Sequence, residues 1–211
     1  MTQPVTSGRP RSARGAGEEL RTEIVAAAKT LMAAAPTAED VSIRAVAAAV
    51  GVTAPSLYRH FADKDALITA VVIDVFEELD RVMVAAGAAE TAPLERLRAY
   101  GLAYVRFAVE HPEHYRLATM DACPRPDIDE VLAAGAFVHF QDAVSACLEA
   151  GVLVGSDPVT ITLELWSAAH GAAALLVAKP YLPYGDPLAF ADRVLKAAAY
   201  GHSADLDRWP G

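Results

Sequence analysis

The stretch Val41–Lys64, VSIRAVAAAVGVTAPSLYRHFADK, most constrains what this chain can become. Ser42 is a good N-cap residue, and Ile43, Val46 and Val50 recur at i, i+3 and i+7, so a short amphipathic helix begins there. Ala47 is small on the inner face, which lets a second helix cross closely. Gly51 falls where the chain must reverse, and glycine tolerates the left-handed backbone that ends a helix. Thr53 can cap the next helix, and Pro55 is tolerated because it lies in the first turn. Leu57 then faces inward, while Ser56, Tyr58 and His60 stay available to a partner outside. Two short helices joined this way form a helix-turn-helix, whose second helix enters the DNA major groove.

Residues 51–68, GVTAPSLYRHFADKDALI, resemble the signature of TetR-type transcriptional repressors: Gly-Val-Thr, Leu-Tyr, His-Phe, Lys-Asp, Leu. The resemblance covers residues 19–79 and continues beyond them in helix order and length. It implies an all-α, nine-helix TetR-like architecture. A flexible basic arm (1–18) would precede the helix-turn-helix DNA-binding domain (19–79), and residues 80–211 would bind an effector and dimerise. The implied partners are a double-stranded palindromic operator, bound by a homodimer, and a small-molecule effector. The expected DNA-binding residues are Ser42, Arg44, Thr53, Ala54, Pro55, Ser56, Tyr58, Arg59, His60 and Lys64. The family places phosphate contacts at the positions of Tyr58, His60 and Lys64. The small Ala54 and Ser56 suit base edges, the alanine methyl against a thymine methyl. A hairpin buried inside an enzyme would not need the polar, basic edge of Tyr58, Arg59, His60 and Lys64.

The net charge of −9 is unusual for a DNA binder until it is divided along the chain. Residues 1–64 carry eight Lys/Arg against six Asp/Glu, and residues 65–211 carry ten against 21. The positive part coincides with the helix-turn-helix, as an electrostatic footprint on phosphate requires. Hydrophobic residues make up 54% of the chain, rich in alanine, which favours helices. Cys123 and Cys147 lack metal-ligand spacing and fit a reduced, cytoplasmic setting without a disulfide. The N-terminus has no apolar signal region, and the apolar run near Ala172–Ala178 is too short to span a bilayer, so no membrane partner is expected.

Residues 1–16 are rich in Gly, Pro, Ser and Arg and are expected to be disordered when free. Arg9, Arg11 and Arg14 either reach a minor groove or belong to a solvated tail. The first helix is expected from Gly17 to Pro36, with Leu20, Ile24, Ala27 and Leu31 inward. The fourth should start at Asp63 and reach Gly87, burying Leu67, Val71, Val75, Leu79 and Val82. Further helices are expected over Leu94–Glu110, Glu113–Thr119 and Asp127–Ala150, with a loop at Cys123. Asp157-Pro158 and Asp186-Pro187 each pair an N-cap with proline at the first helical position. They open helices to about Ala178 and Tyr200, with a mobile tail from Gly201. The resemblance makes these last two helices the dimer interface, where Ala168, Ala169, Gly171, Ala172, Leu195, Ala198 and Ala199 permit close approach.

Trp166-Ser-Ala-Ala-His170-Gly171 resembles the Trp-His-Gly motif of one group of TetR-type C-terminal domains. Trp166 and His170 are four apart and share a helix face. Either they are packed core residues, or they line an effector cavity. In the second case Phe76, Met83, Tyr104, Phe107, Phe137 and Trp166 form the wall and His170 the polar handle, for an apolar or aromatic effector. His111 and His114 are three apart, with Asp121, His139 and His170 elsewhere, and are read as solvated helix-end histidines; neither a metal nor a cofactor is expected. No H-E-x-x-H, G-x-S-x-G, G-x-G-x-x-G or phosphate-binding loop occurs, and no Glu-x-x-His pair, so no catalytic residue is assigned. The reading is a ligand-responsive repressor rather than an enzyme. A helical-bundle enzyme or lipid carrier, or a TetR-type activator, is the alternative.

Overall fold

The computed structural model describes residues 15–119, 135–155 and 157–203. Among these residues there are nine α-helices, one 3-10 turn and no strand. The chain divides into two compact units, residues 1–71 and 72–211. The expected basic arm, apart from its last residues, the Cys123 loop and residues 127–134 lie outside the described residues. The helix expected over Asp127–Ala150 does not run unbroken: Gly135, at φ −112° and ψ −110°, leaves the helical path, and a helix starts after it at Ala136.

The first unit holds α1 (Gly15–Ala34), the 3-10 turn Ala38–Asp40, α2 (Ile43–Val50), α3 (Ala54–Leu57) and the start of α4 (Lys64–Gly87). Its core is Ile24, Val25, Ala28 and Met32 of α1 against Val46, Ala47, Leu57, Phe61 and Leu67. The buried stripe of α1 is therefore Ile24, Val25, Ala28, Met32, while Leu20, Ala27 and Leu31 are half-buried. In an alanine-rich helix small side chains flank every large one, so the face is decided by what packs on it. Ser42 caps α2 by accepting from the Ala45 amide at 3.1 Å. Gly51 ends α2 at φ 75°, where the Val52 amide donates back to the Ala47 carbonyl at 2.9 Å. The Arg21 guanidinium lies 5.2 Å above the Phe61 ring, clamping α1 to the segment after α3.

The second unit holds the rest of α4, then α5 (Pro93–Glu110), α6 (Pro112–Thr119), α7 (Ala136–Glu149), α8 (Pro158–Ala178) and α9 (Pro187–Ser203). Helix α5 is central: it packs against α6, α7, α8 and α9, burying Leu97, Tyr100, Tyr104, Val105 and Phe107 among others. On α4, Val82 is 39% exposed and Met83 takes the buried place expected for it. The spacing from Leu79 to Met83 is four residues, and that step holds the stripe on one side. Asp157 and Asp186 cap α8 and α9 as their sequence promised, accepting from the Val159, Thr160 and Ala189 amides. Helix α9 continues past Tyr200 to Ser203, so residues 201–203 are helical.

Helix α8 corrects one expectation. By length and composition alone it is apolar enough to cross a membrane, with mean hydropathy 1.4, and 39% of that window is buried. The apolar run at Ala172 looked too short because Thr162, Glu164, Ser167 and His170 interrupt the helix before it, Glu164 alone among them a carboxylate. The buried residues Ile161, Thr162, Leu165, Ala169, Ala172, Ala173 and Leu176 follow the spacing of a helix packed on one side.

Candidate functional site

Within the first unit, the recognition segment is one α-turn, Ala54–Leu57, continued by turns through His60. The Tyr58 and Phe61 amides donate to the Ala54 and Leu57 carbonyls, so the helical path persists to Phe61. Leu57 is fully buried and anchors the segment. Around it Ser42, Arg44, Thr53, Pro55, Tyr58 and Arg59 are exposed, and Ala54, Ser56, His60 and Lys64 are half-buried. All ten candidate DNA-binding residues thus lie on α2 or its N-cap, on the recognition segment or its N-cap, or at the start of α4. Thr53 holds the N-cap position with extended backbone, yet its hydroxyl makes no capping bond. Its Oγ1 instead lies 3.2 Å from Ser56 Oγ. Arg59 Nη2 donates to the same Ser56 oxygen at 2.9 Å. Ser56 is therefore already engaged from two sides, rather than standing free as its sequence position implied.

Lys64 is held as well. Its ammonium donates to the Glu39 carbonyl and pairs with the Glu39 carboxylate at 3.1 Å. Glu39 belongs to the 3-10 turn, twenty-five residues earlier, and no local pattern announced it. That turn is fixed by Asp40, whose carboxylate accepts from the Thr37 amide and hydroxyl at 3.1 and 3.0 Å. Glu39, Asp40, Ser42, Arg44, Tyr58 and Lys64 border one shallow depression. An anion arriving there meets Arg44 and Lys64 but must first displace the Glu39 carboxylate.

Within the second unit, Met83, Tyr104, Phe137 and Trp166 border a cavity of only 20 Å³, together with Gly101, Phe140 and other core residues. Phe76 and Phe107 are buried in packed core outside its lining. His170 is also outside it but is joined to it through Tyr104. The Tyr104 and Tyr115 hydroxyls lie 2.9 and 3.0 Å from His170 Nδ1, and the Tyr115 hydroxyl is 3.4 Å from the His170 carbonyl. Trp166 stands edge-on to both His170 (6.3 Å) and Phe137 (6.2 Å). Burial lowers the His170 pKa, so the neutral imidazole is favoured. Burial likewise raises both tyrosines, Tyr104 strongly. Tyr115 was not among the expected residues; it lies 55 positions from its partner.

A larger cavity, 270 Å³, opens between α5, α7, α8 and α9. Its rim carries Glu95, Arg98 and Lys196. Arg98 Nε donates to Asp192 at 2.6 Å, and Lys196 pairs with the other Asp192 oxygen at 2.7 Å. Those two cations, Arg98 first, hold the Asp192 carboxyl down to about 2. Of the remaining histidines, His139 pairs with Asp80 at 2.7 Å and His202 with Glu164 at 3.0 Å. His111 and His114 stack at 5.7 Å, and with Glu113 they bring their ligand atoms within 4.8 Å of one another.

Helix-turn-helix geometry in one unit and a helical bundle with internal cavities in the other define a DNA-binding regulator. Two family models match: bacterial regulatory proteins of the tetR family over residues 24–71, and the tetracyclin repressor-like C-terminal domain over residues 97–198. The chain is 30% identical over 162 residues to the uncharacterised HTH-type transcriptional regulator Rv0681 of Mycobacterium tuberculosis, covering 76% of this chain and 72% of that one. The chain belongs to the TetR family of DNA-binding transcriptional regulators. Its fold is similar to that of a protein of unknown function from Rhodococcus sp. RHA1, at TM-score 0.75 and 24% identity over 96% of this chain and all of that one. It is also similar to RolR, solved with resorcinol, at TM-score 0.64 and 18% identity over 88% and 90% of the two chains.

Proposed function

We propose that the chain is a ligand-responsive repressor that binds a palindromic operator as a homodimer. One observation carries the reading: a short helix anchored by the fully buried Leu57 presents Thr53, Pro55, Tyr58 and Arg59 to solvent, with Lys64 beside it. A core hairpin has no use for such an edge. In this reading Ala54 and Ser56 meet base edges, and Arg44, Tyr58, Arg59, His60 and Lys64 contact phosphate, while Ser42 and Thr53 adjoin the backbone. Domain limits of 1–18, 19–79 and 80–211 belong to the same proposal.

The dimer is assigned to α8 and α9. Ala169, Ala172 and Leu195 are buried within the chain's own bundle. The outward stripe of α8 is instead Val159, Leu163, Ser167, Gly171 and Leu175, at four-residue steps and exposed throughout. Four-residue ridges on two copies interdigitate, and a Cβ at Gly171 would meet nothing within 4 Å. A dimer places two recognition helices on successive major grooves, about 34 Å apart. A small molecule in the second unit then shifts the population toward a dimer whose spacing no longer fits. That requires only that it bind the two states unequally. RolR, of similar fold, was solved with resorcinol; a small apolar or aromatic effector in the cytoplasm is the corresponding expectation here.

The test is selection of DNA from a random pool, followed by footprinting and sedimentation. The expected result is a palindrome with half-sites one helical turn or a multiple apart, bound by a dimer. A monomer at micromolar concentration, or binding without sequence preference, refutes the reading.

A further inference from the structure

We propose that the larger cavity, between α5, α7, α8 and α9, is the ligand site, and that its ligand is uncharged, apolar and about the size of a bicyclic aromatic. This deepens the ligand-responsive reading and rests on it. The walls are apolar: Leu97, Phe140, Leu153, Leu165, Leu195 and Ala199 among others. Its 270 Å³ exceeds the roughly 150 Å³ of an engineered apolar cavity that takes up benzene, so a second ring or a short alkyl chain fits as well. The neighbouring 20 Å³ cavity at Met83, Tyr104 and Trp166 has room for no more than a water or a methyl group. Gly101 and Phe140 border both cavities, so one partition separates the ligand-sized space from the aromatic and histidine cluster.

Charge fixes the ligand class. Arg98 is held by Asp192 and by Glu95 at 3.4 Å, and Lys196 by Asp192. The rim cations and anions thus neutralise one another, so they leave no unpaired charge for an ionic ligand, whose own charge would be buried against the apolar walls. The walls lie on four helices of a single chain, which is the enclosure a small molecule needs; a helix of a second copy could only cover the mouth. Helix α9 supplies one wall because Gly101 lets it approach α5. A Cβ there would come 2.9 Å from Leu195 Cδ1. A molecule in the cavity therefore touches the helix to which the dimer is assigned.

The experiment titrates three isosteres into the full chain by calorimetry: neutral 2-naphthalenemethanol, 2-naphthoate and 2-naphthylmethylammonium. The neutral compound should bind at least about tenfold more tightly than either ion, since a buried unpaired charge is penalised. Filling the cavity from its margin with Ala199→Trp, or separately with Val152→Trp, should weaken neutral binding by about tenfold or more. Two fillings are used so that failure of one variant to fold leaves the other. No binding of any isostere, a tighter ion, or binding unchanged in a folded filled variant overturns the inference. Selective DNA binding by the same preparation without naphthalene binding overturns the cavity assignment alone. Naphthalene binding without selective DNA binding keeps the cavity and overturns the regulator reading.

Discussion

Removing the Glu39 carboxylate should tighten DNA binding, because Lys64 would no longer be shared between DNA and its own chain. The pair is 3.1 Å long, with Lys64 28% and Glu39 66% exposed. Two unit charges at that distance attract by about 1.3 kcal/mol in water. Ordering two long side chains and salt screening cut this to roughly 0.5 kcal/mol, within the range for exposed pairs. A phosphate must recover that cost at each module. Glu39→Gln should then improve affinity by about 1 kcal/mol for a dimer with two modules, or roughly fivefold. The gain should be similar for selected and random DNA, since phosphate contacts carry little sequence information. Glu39→Gln also removes a negative charge that repels DNA regardless of Lys64, so the assay is a double-mutant cycle. Fluorescence anisotropy at fixed salt would compare the wild type, Glu39→Gln, Lys64→Ala and the double variant. In the Lys64→Ala background the Glu39→Gln gain should fall below half, and Lys64→Ala should lower the salt slope by about 0.9 per module. An equal gain in both backgrounds would show that Glu39 acts only as a distant charge and does not compete with DNA for Lys64.

Three further perturbations test other parts of the structure. Gly51→Ala puts a side chain at φ 75° in open space, so only backbone strain acts; the first unit should lose about 1 kcal/mol by urea denaturation. Gly171 faces open space within a helix, so Gly171→Ala should keep the dimer while Gly171→Trp should raise its dissociation constant by at least about tenfold by sedimentation. For His170 the folded pKa lies below its unfolded value near 6.5, so the unfolded chain binds the extra proton and stability falls as pH drops from about 6.5 through the folded pKa. His170→Gln should flatten that slope in denaturant titrations at pH 5 to 7, and an unchanged slope would remove His170 from the account.

What the sequence made legible was what neighbouring residues decide. Ser42, Asp157 and Asp186 accept from amides within a few positions, Gly51 ends its helix at positive φ with its own N–H on nearby carbonyls, and each behaves as its type requires. What escaped was set by packing across the chain. In α1 the run of alanines left two stripes one residue apart with similar hydrophobicity, and Ile24, Val25, Ala28 and Met32 form the buried one. Thr53 had two partners within reach, a backbone amide and the Ser56 hydroxyl, and residue type alone cannot choose between them. Glu39 with Lys64 and Tyr115 with His170 pair over 25 and 55 positions. The larger cavity draws walls from four helices, none of which has a periodicity that differs from ordinary core.

Trp166 borders only the 20 Å³ void, and His170 lines neither cavity. Both are half-buried, and His170 is bonded like a core residue. In the Nε2–H tautomer Nδ1 offers one lone pair, and two hydroxyls lie within 3.0 Å of it. One tyrosine can donate fully while the other shares the nitrogen, turns to the His170 carbonyl, or donates to its neighbour. Such a cluster has alternative hydrogen-bond arrangements within reach of the same side chains. It adjoins the small cavity through Tyr104 and Trp166, and that cavity shares Gly101 and Phe140 with the ligand-sized one. A displacement of Phe140 by a ligand would press first on the aromatic side chains around that 20 Å³ void, where there is no spare volume to absorb it. If the proposed ligand response holds, the Tyr104–His170–Tyr115 cluster would be where a change in packing becomes a change in hydrogen bonding between α5, α6 and α8.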